Sequence, residues 1–184
     1  IGTLSICTTK HNDGFTDAGI SRLASRDFAD ALLSNTYEEL KRIYGRWNKR
    51  QLYDRNYSET RMPAMPSAII ETMSHQNFPD MRMGQDPNFK FNMSRSIYKT
   101  ILKYICEQHN VQYVVSPLAP SEFRISLDNG KATLKWNETE DTIETTAVPT
   151  GYIVYTSVGD NGYDNGTLVK NEKRFTTTLT PNKL

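Results

Sequence analysis

The sequence is poor in cysteine, in histidine, in net charge and in long apolar runs, and each shortage removes a class of function. Of its 184 residues only Cys7 and Cys106 are cysteines. Two thiols cannot build a disulfide framework, and neither sits in a C-x-x-C pair of the redox or zinc-ribbon kind. The 22 Lys and Arg side chains nearly balance 21 Asp and Glu, leaving a net charge of +1. That balance gives no broad attraction to nucleic acid or to an anionic membrane, so no nucleic-acid partner is expected. No apolar run reaches the roughly 18 residues of a spanning helix, so no membrane span is expected either. With 37% hydrophobic residues and a mean hydropathy of -0.61, a water-soluble globular chain is expected. There is no initiator Met and no basic segment leading into an apolar one; the chain opens at Ile1 inside a strand-like run. A piece of a longer protein is expected.

What is present divides into two patterns. Residues 21–43 place Leu23, Phe28, Ala31, Leu32, Leu40 and Ile43 at mostly three-and-four spacing, which predicts an amphipathic helix with Ser21 as its cap. A second helix is predicted from Asp86 as cap and Pro87 at the first position, with Phe89, Met93, Ile97, Ile101 and Ile105 forming its apolar stripe and Tyr104 widening it. Gly2 to Thr8 and Ser67 to Glu71 read as short strands, the second preceded by Pro63 and Pro66. Strands alternating with helices predict an α/β domain over residues 1–115, with a mainly parallel layered sheet and flanking helices. Ser116 to Pro120 carries two prolines and reads as a stiff connector. Beyond it helical period disappears. Turn formers at Asp128-Asn129-Gly130, Gly159 to Gly162, Asn165-Gly166 and Pro181-Asn182 separate alternating runs, which predicts an incomplete all-β sandwich of immunoglobulin-like type over residues 117–184. Basic and acidic residues number 15 and 12 up to Ser116 and 7 and 9 after it, so neither part is charged enough to define a partner.

The second part resembles the opening strands of a fibronectin type III domain, through Pro120, Ala132-Thr-Leu-Lys-Trp136 and Tyr152-Ile-Val-Tyr155. Only four or five of about seven strands can be counted. The resemblance therefore implies missing last strands and partly uncovered faces at Ile153, Tyr155 and Phe175. Trp136 reads as a core residue by its alternation, with an aromatic sugar-binding platform as the other reading.

Glu71 ends the apolar run Ser67-Ala-Ile-Ile, the position at which open α/β sheets present side chains to ligands. A carboxylate there could take a proton from a metal-held water and pass it to a leaving nitrogen; capping a turn or pairing with an arginine is the structural alternative. Met65-Pro-Ser-Ala-Ile-Ile-Glu71, followed by Asn77, resembles the closing signature of zinc-dependent N-acetylmuramoyl-L-alanine amidases, hydrolases of the bacterial cell wall. In the same order, Gly2 to Cys7 resembles that family's strand after the metal loop. Ser21 to Leu40 resembles its next helix, Asn48-Lys-Arg50 its Asn-Arg-Gly segment, and Asp86 to Ile105 its closing helix. The resemblance implies Glu71 as general acid/base, with Arg61 and Asn77 binding substrate, and His75, close behind Glu71, reads as a further substrate-binding residue lining the pocket. It also implies that zinc, held by two His and one Glu, is a cofactor of the parent enzyme whose ligands precede residue 1, so that no metal ligand lies in this chain. In a second register Ser5-Ile6-Cys7 falls on the family's Ser-x-His zinc strand and puts Cys7 at a ligand position.

His11, among turn formers, reads as an exposed loop residue, and His109 as a partner of the carboxyl end of the closing helix. The stretch 44–61, with Trp47, Arg50, Tyr53, Arg55, Tyr57 and Arg61, is either a surface for a glycan or acidic peptide or a solvated loop. The expected function is zinc-dependent cleavage of the muramoyl-alanine amide in peptidoglycan, at the cell envelope, in the periplasm or secreted. Two rivals stand beside it: a noncatalytic protein binding cell wall or polysaccharide, and an exported polysaccharide-degrading enzyme such as a xanthan-lyase-type protein.

Overall fold

The computed structural model describes residues 2–179. The chain divides into two units, 1–112 and 113–184. Tyr113 and Val115 are tied into the second: the Tyr113 hydroxyl donates to Glu144 at 3.1 Å and the Val115 amide to Thr146 Oγ1 at 3.1 Å.

The first unit mixes helices with one small sheet. Its strands are β1 (Thr3–Cys7), β2 (Lys49–Asp54) and β3 (Ile69–Glu71), and its helices are α1 (Leu23–Tyr44), α2 (Ser58–Arg61), α3 (Phe78–Gln85) and α4 (Pro87–His109). The sheet order is β2-β1-β3, so β1 is central, and all five of its residues are buried. β2 runs parallel to β1, with Cys7 opposite Asp54. β3 runs antiparallel, with Leu4 opposite Glu71 and Ile6 opposite Ile69. The mainly parallel sheet expected from sequence is therefore mixed, parallel on one side of β1 and antiparallel on the other.

α1 packs on the sheet and on α4 through Ala29, Leu32, Leu33 and Leu40, all buried. It ends at Gly45, whose φ of 71° is the left-handed conformation that closes a helix. Ser21 does not cap α1 as expected. The N-cap position falls on Arg22, which makes no side-chain cap bond, while Ser21 Oγ accepts only from the Leu23 amide, at 3.3 Å. α4 begins as the sequence indicates, Asp86 Oδ1 accepting from the Asn88 amide at 2.8 Å ahead of Pro87, and stops at Asn110 in the left-handed region. Its stripe is buried only in part. Phe89 and Met93 join Leu40 in a cluster with Tyr44, Trp47, Met73, Met83 and Ile97, but Ile101 and Ile105 are exposed. Repeating every fourth residue advances about 40° beyond a full turn each time, so from Phe89 to Ile105 the stripe winds roughly 160° around the helix. In the second half Thr100, Cys106 and Lys99 are buried instead, Lys99 forming an ion pair with Glu39 at 2.7 Å.

The second unit is all β: β4 (Ser121–Asp128), β5 (Lys131–Asn137), β6 (Tyr152–Val154), β7 (Thr167–Val169) and β8 (Arg174–Thr178). The sheets are β4-β5-β8 and β6-β7, every pairing antiparallel. Asn129 and Gly130, with φ of 46° and 72°, make the tight two-residue hairpin that an Asn-Gly pair favours. Trp136 is 5% exposed, and its ring meets that of Tyr152 edge-on at 5.1 Å. Phe123, Ile125 and Leu127 leave the face of β4 uncovered. The turn formers Pro181-Asn182 lie outside the described residues.

Candidate functional site

The direction of β3 decides where Glu71 lies. Because β3 opposes β1, its carboxyl end meets the amino ends of β1 and β2, not their carboxyl ends. The rule placing ligands at the carboxyl ends of parallel strands thus does not carry over to Glu71. Its side chain is exposed on an edge strand, and no described residue donates to it or pairs with it. One residue on, the Thr72 carbonyl accepts from Thr3 Oγ1 at 3.2 Å, and Thr3 Oγ1 accepts from Trp47 Nε1 at 2.9 Å. Two hydrogen bonds thus tie this end of β3 to the segment leading into β2.

The remaining residues singled out from sequence are divided. Asn77 is the N-cap of α3, its Oδ1 accepting from the Asp80 amide at 3.0 Å. His75 is exposed in the turn before it. Both lie at the same end of the sheet as Glu71. Arg61 lies at the other end, in α2, where Thr60 Oγ1 meets Thr8 Oγ1 at 2.7 Å just past β1; its guanidinium donates to Asn56 at 3.2 Å. Glu71 and Arg61 are therefore not brought together.

At Arg61's end of the sheet, Asp54 accepts from the Thr9 amide at 3.0 Å and from the Thr9 hydroxyl. Burial works to raise its carboxyl, but the two Thr9 bonds and the nearby Lys10 and Arg26 outweigh it and hold Asp54 below the ordinary carboxylate range. Cys7 is fully buried beside it; burial first, then the Asp54 charge, push its thiol up, against a smaller pull from Arg26. Arg22 is 1% exposed and has no described carboxylate partner. Its Nε donates to the His11 and Phe15 carbonyls at 3.0 and 2.9 Å, and its terminal nitrogens to Thr60 and Arg61 at 3.4 and 2.9 Å. Sequence reading missed Asp54 and Arg22. The Leu52-Tyr53-Asp54 run was a usable strand signal inside 44–61, a stretch read as glycan surface or loop that in fact forms β2 and α2.

The donor set does not fit zinc. Among the described residues no three His, Cys, Asp or Glu side chains gather to hold a metal. Glu71 sits level with Leu4, three residues from Cys7 along β1, or roughly 10 Å of strand, so the register that makes Cys7 a ligand does not bring it to Glu71. His11 is exposed next to a 3-10 turn, and His109 is exposed in the last turn of α4.

Two of the grooves among the described residues bear on function. One, of about 560 Å³, lies at the Glu71 end of the first unit and is lined by Trp47, Asn48, Phe78 and two arginines, with Asp80 at its floor. The Asp80 carboxylate is buried and accepts from the Ser74 amide at 2.9 Å and the Gly2 amide at 3.4 Å. The other, of about 830 Å³, belongs to the second unit and is lined by Phe123, Trp136, Tyr152, Tyr155 and Tyr163; Tyr155 and Tyr163 are exposed and stand edge-to-face at 6.5 Å. Comparison with protein-family models, with curated proteins and with solved structures finds no match to this chain.

Proposed function

We propose that this chain is the carboxyl-terminal part of a zinc-dependent N-acetylmuramoyl-L-alanine amidase domain, followed by an incomplete fibronectin type III-like sandwich, in a bacterial wall hydrolase working outside the cytoplasm. The observation that carries the reading is Glu71, an exposed carboxylate without a described partner, at the end of a strand whose sequence resembles the family's closing signature. A carboxylate free of internal partners can exchange protons. Glu71 would accept one from the attacking water and deliver it to the departing alanine nitrogen, a role worth about 10²–10⁴ in rate. On this reading the zinc ligands belong to sequence ahead of Ile1, and Asn77, as the cap of α3, orders the turn that carries His75.

The test is product analysis of peptidoglycan treated with the whole protein. New alanine amino termini are expected, and a Glu71→Gln variant with unchanged melting should lose them about 100-fold or more. Unsaturated sugars would establish lyase chemistry instead. A second reading, noncatalytic glycan binding, draws on the aromatic groove of the second unit, since exposed Tyr155 and Tyr163 offer faces on which sugar rings stack. Retention on insoluble peptidoglycan without any release of amine or sugar would favour it.

A further inference from the structure

The tripeptide Asp-Asn-Gly occurs three times in the second unit, at residues 128–130, 160–162 and 164–166. An asparagine followed by glycine is able to cyclise on itself. The glycine amide nitrogen, once it gives up its proton, attacks the side-chain carbon Cγ, and no Cβ on the glycine hinders the approach. Local sequence is the same at all three sites, so only the fold tells them apart.

The distinction lies in the peptide group that reacts. Asn129 and Gly130, both at positive φ, are the centre of the β4–β5 hairpin, between the paired residues Asp128 and Lys131, and the Gly130 carbonyl accepts from the Leu179 amide at 2.8 Å. Swinging the Gly130 nitrogen over Asn129 Cγ would break that turn. At Asn165 the attacking amide is already committed, since Gly166 donates to Asp164 Oδ1 at 2.9 Å. A carboxylate on an N–H opposes loss of its proton, and the space over the Gly166 Cα is filled by Ile153 and Tyr155. Asn161 and Gly162 differ on each count. Both are exposed, the Gly162 amide has no acceptor among the described residues, and the space over its Cα is open. The Ser157 hydroxyl also donates to the Asn161 carbonyl at 2.6 Å. That oxygen and the Gly162 nitrogen belong to one peptide group, so charge left by the departing proton spreads to the oxygen, where a donor stabilises it. The Asn161 side chain itself is held by one exposed bond, from Nδ2 to the Val158 carbonyl at 2.9 Å.

We propose that Asn161 is a site of self-modification, in which the Gly162 nitrogen displaces the Asn161 side-chain amide and the Ser157 hydroxyl favours the attacking anion. A bond forms between Gly162 N and Asn161 Cγ, and the Cγ–Nδ2 bond breaks. The amide leaves as ammonia, carrying the proton that the Gly162 nitrogen gave up. Water then opens the succinimide at either carbonyl and leaves aspartate or isoaspartate at position 161. The loop gains a negative charge two residues ahead of the exposed Tyr163. This chemistry is independent of the amidase reading.

The full chain, folded and in urea, is held in mildly alkaline buffer, and peptide mapping with fragmentation reads amide-to-acid conversion at each site. Folded, Asn161 should convert about fivefold faster or more than Asn129 and Asn165, and in urea the three rates should come within about twofold of one another. Ser157→Ala should slow Asn161 about fivefold at unchanged melting, and Ser157→Thr, which keeps the hydroxyl, should restore the rate. Conversion at Asn129 or Asn165 matching that at Asn161 in the folded chain would overturn the site, as would a folded Asn161 that stays intact while the urea sample converts. Selectivity that persists in urea would trace the preference to sequence and overturn the role given to the fold. A Ser157→Ala rate that is unchanged or higher would remove the hydroxyl from the reaction.

Discussion

Replacing Arg22 tests whether a buried guanidinium, paired with carbonyls alone, holds the first unit together. Three of its four bonds are 3.0 Å or shorter, and the fourth, to Thr60, is 3.4 Å. They join the loop at residues 11–15 to the end of α2, two segments that the sheet itself does not link. Arg22→Met keeps the apolar stem but leaves the Phe15 and Arg61 carbonyls without their donor, while the His11 and Thr60 carbonyls keep the Gly14 amide and the Ser67 hydroxyl; at about 1.5–3 kcal/mol for each bond from a charged donor, the loss is about 3–5 kcal/mol. Arg22→Lys retains the charge on a single ammonium that cannot span four acceptors, so it should cost about 2–3 kcal/mol, the equivalent of one charge-assisted bond. All helices of the chain lie in the first unit among the described residues, so ellipticity at 222 nm during urea unfolding reports on that unit. The shift in midpoint at constant slope gives the loss. A Met variant within about 1 kcal/mol of the parent would refute the argument, since that is the size of an ordinary surface substitution's scatter or little more.

Three further outcomes follow from the same geometry. Asp54 is held below the ordinary carboxylate range in the folded chain, so it contributes stability above the unfolded value near 4 that is lost as pH falls through its lower folded value. Urea midpoints should therefore drop on acidification below about pH 4, and an Asp54→Asn variant should show a shallower drop; an unchanged acid slope would remove Asp54 from the account. Gly2 has a φ of 90°, and a Cβ there would overlap the Asn48 carbonyl, so Gly2→Ala should lower stability by about 2–3 kcal/mol in the same assay. Both thiols are free and buried, with Cys7 raised by burial and by Asp54; a thiol reagent at pH 8 should label the native chain slowly and both cysteines at once on unfolding, and rapid native labelling of Cys7 would contradict its placement.

Features that depend on neighbours in the chain were legible from sequence. Asp86-Pro87 opens α4, because a capping carboxylate and a residue lacking an amide are both satisfied only at a helix start. Asn129-Gly130 makes the hairpin, because both residues tolerate positive φ. Trp136 alternates onto the buried side of β5. Less legible were features set by packing partners. The α4 stripe promised five buried positions and delivers its first two, Phe89 and Met93, in full, because the spacing drifts around the helix and α1 covers only one side.

The candidate site was the least legible. A short run such as Ile69-Ile70-Glu71 encodes a strand but not its direction, since both pairings satisfy the same backbone donors and acceptors. Only the path of the chain through β2 and α2 sets β3 antiparallel to β1. That choice sends Glu71, His75 and Asn77 to one end of the sheet and Arg61 to the other. It also leaves Arg46 and Arg82, 36 residues apart in sequence, facing one groove. Thus residue type and spacing by themselves determined the two long helices and the Asn129-Gly130 turn, which are matters of local sterics and hydrogen bonding. Tertiary structure alone decided which side chains share a surface, because that depends on strand direction and on contacts between residues far apart along the chain.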